Sequence, residues 1–150
     1  MATYTKFNQF VEDLSGKVHD LFGTAGSGAD TCKVVLSNTA PNATTGAVLA
    51  DITQIANGGG YTTGGSSVAN VGTRSTTTVT VTGTNVTWTS DGTLATFRYV
   101  VLYNDTPTSP ADPLVASWDY GSALTLSNNG DTFTVKFNNG ASSGTIFTLA

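Results

Sequence analysis

Charge is the first thing this sequence has little of: 11% of its 150 residues are Asp, Glu, Lys or Arg, against roughly a quarter in an ordinary globular chain. Six Lys and Arg against ten Asp and Glu leave a net charge of -4, and the six cations lie far apart. Nucleic acid is thereby excluded as a partner, because phosphate binding depends on clustered Lys and Arg. The single cysteine, Cys32, excludes an internal disulfide framework. It sits in an apolar stretch and reads as a buried, reduced thiol, since a nucleophilic cysteine wants basic neighbours and only Lys33 adjoins it. No segment approaches the roughly 20 consecutive apolar residues that cross a bilayer, which argues against a membrane partner. The opening residues, Met-Ala-Thr-Tyr-Thr-Lys, lack the charged and apolar regions of a signal peptide. The expectation is a chain made and folded in a cytoplasm.

What is present is Gly, Thr, Asn and Ser in abundance, with a hydrophobic share of 39%. That share, rich in Val, Phe and Tyr, is too apolar for a disordered chain, and the length suits one domain, expected over 1–150. Residues 5–22 carry a helical period. Phe7, Phe10, Val11, Leu14, Val18, Leu21 and Phe22 recur at three- and four-residue steps, with Glu12, Asp13, Lys17 and Asp20 on the other side. The pattern predicts an N-terminal amphipathic helix through residue 22, with Thr5 as N-cap, Asp13 and Lys17 as a supporting pair, and Gly23 as its stop. Its apolar stripe needs a cover, either the chain's own sheet, expected first, or a neighbour's surface. Phe7, Phe10, Val11, Leu14 and Val18 are accordingly the candidate partner-binding residues.

Residues 23–30 read as a flexible loop, and a short helix is expected near 47–56 from Val48, Leu49, Ile52 and Ile55, stopped by Asn57-Gly58-Gly59-Gly60. Elsewhere 31–150 is a series of short β-branched and aromatic runs: 31–37, 68–71, 77–82, 85–89, 94–103, 114–120, 123–126, 132–137 and 145–149. Turn formers divide them, such as Ser90-Asp91-Gly92, Asn128-Asn129-Gly130-Asp131 and Asn138-Asn139-Gly140. Thr132-Phe133-Thr134-Val135-Lys136-Phe137 alternates with period two, so one of its sides faces a core. Phe97 to Tyr103 alternates less, as a central strand buried on both sides would. The fold class expected is mostly β, an antiparallel β-sandwich with the N-terminal helix laid on it.

Residues that carry chemistry are few. The one histidine, His19, is expected on a solvent-facing side of the helix, which leaves neither a nucleophilic triad nor a zinc site of the usual ligands. Gly23 to Asp30 lacks the Lys-Ser/Thr of a phosphate loop and leads into a strand. Asp105, Asp112, Asp119 and Asp131 could supply a catalytic pair, yet three of them fall where turns are expected, and Asp is a standard turn residue. Asn128 to Asp131 offers only part of a calcium loop. No catalytic residue, cofactor or metal is expected. Trp118 and Tyr120, on one side of a strand, are the candidate glycan-binding residues should they be exposed rather than core.

Several blocks together resemble a widespread family of small tailed-bacteriophage virion proteins. They are Tyr4-Thr5-Lys6-Phe7-Asn8-Gln9-Phe10-Val11-Glu12-Asp13-Leu14, Lys33 to Pro41, Ala50 to Tyr61, Arg98 to Asp105, and Trp118-Asp119-Tyr120-Gly121. The resemblance spans most of the chain and implies a capsid decoration or cement protein with a jelly-roll-like sandwich. Such a protein binds the outer surface of the major capsid protein, is made in the bacterial host cytoplasm, and has no catalytic residues; the symmetry of capsid sites predicts a homodimer or homotrimer. A tail or fibre component that recognises host glycan is the alternative, and a small glycan-cleaving enzyme a third reading.

Overall fold

A computed structural model describes residues 2–139 and 142–150; Gly140 of the expected Asn138-Asn139-Gly140 turn lies outside them. Most of the chain is β-strand, in antiparallel and mixed sheets. At the centre is the expected low-alternation strand, β9 (Leu94–Asn104), with β10 (Leu114–Leu126) antiparallel on one side and β4 (Cys32–Ser37) on the other. Val34, Val35, Leu36, Val101, Leu102, Val115 and Ala116 are all fully buried. Adjacent residues on a strand point to opposite faces, so both faces of this sheet centre are covered. Short strands complete the sheet, β1 (Thr3–Lys6) beyond β10 and β5 (Ser66–Val68) beyond β4.

The second sheet runs in the order β12 (Ser143–Leu149), β7 (Thr78–Thr84), β6 (Asn70–Ser75), β2 (Gly23–Ala25), β3 (Gly28–Ala29), all antiparallel except the β2 and β3 pair. A two-stranded ribbon, β8 (Val86–Thr89) with β11 (Thr132–Val135), opposes Trp88 to Phe133. Phe133 also meets Phe97 of β9 edge to face, with ring centroids 4.7 Å apart. Val81 and Ile146 of the second sheet, Trp88 of the ribbon and Leu36 and Phe97 of the first belong to one buried cluster, so all three pieces share a core. Only Ala69 separates β5 from β6, and there the chain passes from one sheet to the other. At the opposite side β1 and β12 each have a neighbour on one side only, which leaves two strand edges side by side.

The helix differs from expectation in both limits. α1 covers Asn8–Ser15, not residues 5–22. Thr3–Lys6 is instead β1, with Tyr4 opposite Trp118, so Thr5 cannot cap; Phe7 occupies the cap position without a side-chain bond. Gly16 ends the helix, its N–H donating to Glu12 O at 2.8 Å, and Lys17 turns left-handed at φ 61. The expected Asp13 and Lys17 pair is therefore not formed. The short helix near 47–56 reduces to one 3₁₀ turn, Leu49–Asp51, held by the Asp51 carboxylate accepting from the N–H groups of Ala47 and Val48 at 2.8 and 3.1 Å. Residues 23–30 hold β2 and β3 rather than loop alone. The runs 114–120 and 123–126 merge into β10, whose pairing with β9 shifts register between Asp119 and Leu124.

Candidate functional site

The candidate partner-binding residues divide by depth. Phe7 and Phe10 are buried, the Phe10 ring lying 5.2 Å from Phe147 of β12 and 5.0 Å from His19. Both belong to the chain's own core and are closed to any partner. Leu14 and Val18 are half-buried, and Val11 is 50% exposed. Leu14, Phe22 at 57% exposure, Val79 of β7, and Phe147 and Leu149 of β12 line an open apolar groove of about 510 Å³. A second depression of about 380 Å³, between Tyr4 and Lys6 of β1 and β12, shares Phe147 and Leu149 with it. This is the open side of the molecule, where the outer edges of β1 and β12 lie.

Beneath it is a polar cluster that the sequence reading missed, and His19 corrects an expectation. It is 7% exposed rather than solvent-facing, because the chain leaves the helix at Gly16 and folds the ring inward against Phe10. Its Nδ1 lies 3.1 Å from Nδ2 of Asn104, whose amide also donates to Asp30 Oδ2 at 2.7 Å. An amide nitrogen can only donate, so His19 Nδ1 accepts and the neutral ring carries its proton on Nε2. That Nε2 faces Asp13 Oδ2 at 4.0 Å, too far for a hydrogen bond, while Asp13 Oδ1 accepts from Gln9 at 3.0 Å. Burial lowers the His19 pKa, against the opposing pull of Asp13 and Asp30. Asn70 extends the cluster, accepting from the Cys32 N–H at 2.9 Å and donating to Asp30 O at 3.0 Å. Cys32 is a buried free thiol whose pKa burial pushes up to about 12; it holds its proton and is no nucleophile at neutral pH.

The four aspartates mostly have partners of their own. Asp119 takes two bonds from Arg98, 2.7 and 2.8 Å, which hold its carboxyl below the usual range. Asp105 pairs with Lys33 at 2.8 Å. Asp131 accepts from the Asn128 backbone and side chain, both at 3.0 Å, closing the 128–131 turn, the partial calcium loop of the sequence. Asp112 is at φ 53 in a turn, its carboxyl raised first by burial and then by the nearby Asp105. Among the described residues no three His, Cys, Asp or Glu are grouped to hold a metal ion.

Trp118 and Tyr120 do share a side of β10. With Phe133, Phe137, Val100 and Lys136 they line a pocket of about 250 Å³. Trp118 is half-buried between the edges of Tyr4 and Phe137, at 5.6 and 5.7 Å, and Tyr120 is 50% exposed with Phe133 at 6.1 Å. Thus Trp118 both packs and lines an opening. Phe133 and Phe137 escaped notice as site residues, although the alternation of 132–137 had placed them on one face. No family model matches the chain, and neither a curated protein nor a solved structure matches it.

Proposed function

We propose that this chain is a non-catalytic structural protein of a tailed-bacteriophage virion, a decoration or cement protein on the capsid exterior, made in the bacterial host cytoplasm. Its two sheets are read as a jelly-roll-like sandwich that docks on the major capsid protein. The observation that carries the reading is the open side, where β1 and β12 present unpaired backbone beside an apolar groove and Val11, Phe22 and Leu149 stand in solvent. Strand edges recruit other strands, and apolar surface of this kind marks contact sites. Repeated, symmetric capsid sites favour a homodimer or homotrimer. The resemblance to small virion proteins points the same way.

The aromatic pocket favours the second reading, a tail or fibre component that binds a receptor glycan. Copy number separates the two. Quantitative mass spectrometry of purified virions should find this chain on the scale of the major capsid protein's own copies. A count of a few per particle would move it to the tail, and its absence from particles would remove the virion reading altogether.

A further inference from the structure

We infer that the pocket of Trp118, Tyr120, Phe133 and Phe137 binds an anionic saccharide. The pocket holds about 250 Å³, just below the ~300 Å³ at which sites for drug-sized ligands begin, and so suits one sugar ring. Its walls are aromatic faces and edges, the surface on which the C–H side of a pyranose packs. An aliphatic ligand would be satisfied by such walls alone, but three of the lining residues also carry polar groups. The indole Nε1 of Trp118, the hydroxyl of Tyr120 and the ammonium of Lys136 have no hydrogen-bond or ion-pair partner among the described residues. Two donors and a donor-acceptor beside an apolar bed match a ring that carries hydroxyls around its rim.

The sign of the ligand follows from the lining. Lys136 is the one charged residue that lines the pocket, in a chain of net charge -4 with only six Lys and Arg. Arg98 and Lys33 are held by Asp119 and Asp105, whereas Lys136 is exposed and, among the described residues, unengaged. A carboxylate on the sugar would receive a charge-assisted hydrogen bond from it. The pocket shares no lining residue with the groove of Leu14 and Phe22, so substitutions in the one leave the lining of the other intact.

The test is a titration of the full-length, ¹⁵N-labelled protein with D-glucuronate, D-glucose and acetate, followed by two-dimensional NMR. Glucuronate should shift the Trp118 indole N–H and the amides of residues 133–137 with a dissociation constant on the order of 1 mM, glucose several-fold more weakly. Lys136→Met should remove the preference for the acid, and Tyr120→Ala should weaken both sugars; both side chains are exposed, so the fold is kept. No shift of these resonances at about 50 mM of either sugar, equal shifts with acetate alone, or a preference that survives Lys136→Met would each overturn the inference.

Discussion

At the scale of the residue, the clearest consequences come from groups that the fold holds against their ordinary chemistry. His19 is neutral and buried, with a pKa lowered from 6.5 chiefly by desolvation. The unfolded chain therefore takes up a proton near pH 6.5 that the folded chain still refuses. The stability His19 confers is complete above pH 6.5 and is lost as pH falls from there towards its lowered folded value. Urea unfolding followed from pH 7.5 to 5 should show stability declining by up to about 1.4 kcal/mol per pH unit, and His19→Gln should flatten that decline. An unchanged slope in the variant would place the titration elsewhere. Gly65 is constrained by space as well as conformation: it sits at φ +72, and a Cβ there would lie 1.9 Å from Val34 O. Gly65→Ala should cost about 3 kcal/mol or more in the same denaturation assay, since β4 or the turn from Thr62 to Gly65 must move. The burial of Cys32 was legible from its apolar neighbours. That of His19 was not, because its partners Asn104 and Asp30 are distant in sequence and only the tertiary fold joins them.

At the scale of the element, the N-terminal segment shows where pattern reading stops. The apolar spacing of residues 7–22 is real, and Phe7, Phe10 and Leu21 are all buried. They reach the core from a strand end, a two-turn helix and an extended return instead of from one long helix. Gly16 and the pairing of Thr3–Lys6 with β10 outweigh the period, because a strand edge offers backbone hydrogen bonds that a frayed helix start does not. The short strands fared better, since period-two alternation and Gly or Asn turns are local signals. The helix also divides stability from docking. Phe10→Ala should destabilise by about 3–5 kcal/mol through the cavity it leaves between Phe147 and His19. Val11→Ala, one residue on and half in solvent, should change stability by no more than about 0.5 kcal/mol. Thermal denaturation of the two variants side by side measures the contrast. Equal losses would mean that α1 does not pack as described.

At the scale of the whole molecule, strand order was beyond the sequence, because which strand lies beside which depends on contacts between distant residues. So the open side, formed by the first strand and the last, could not be read in advance, nor could the aromatic pocket, whose walls come from β10 and the 133–137 segment. The consequence for function is that docking and folding draw on different residues of the same face. Phe22 and Leu149 are 57% and 42% exposed and both line the groove, while Phe7, Phe10 and Ile146 hold the core. Deleting residues 1–22 would remove core side chains and so confuse the two roles. The double variant Phe22→Glu, Leu149→Glu separates them by placing charge on exposed groove residues alone. Its melting temperature should stay within about 3 °C of the parent. Its affinity for undecorated capsids, measured by co-sedimentation, should fall at least tenfold, since two carboxylates would have to be desolvated in an apolar contact. Retention of full affinity by the folded variant would move the docking surface off this side of the molecule.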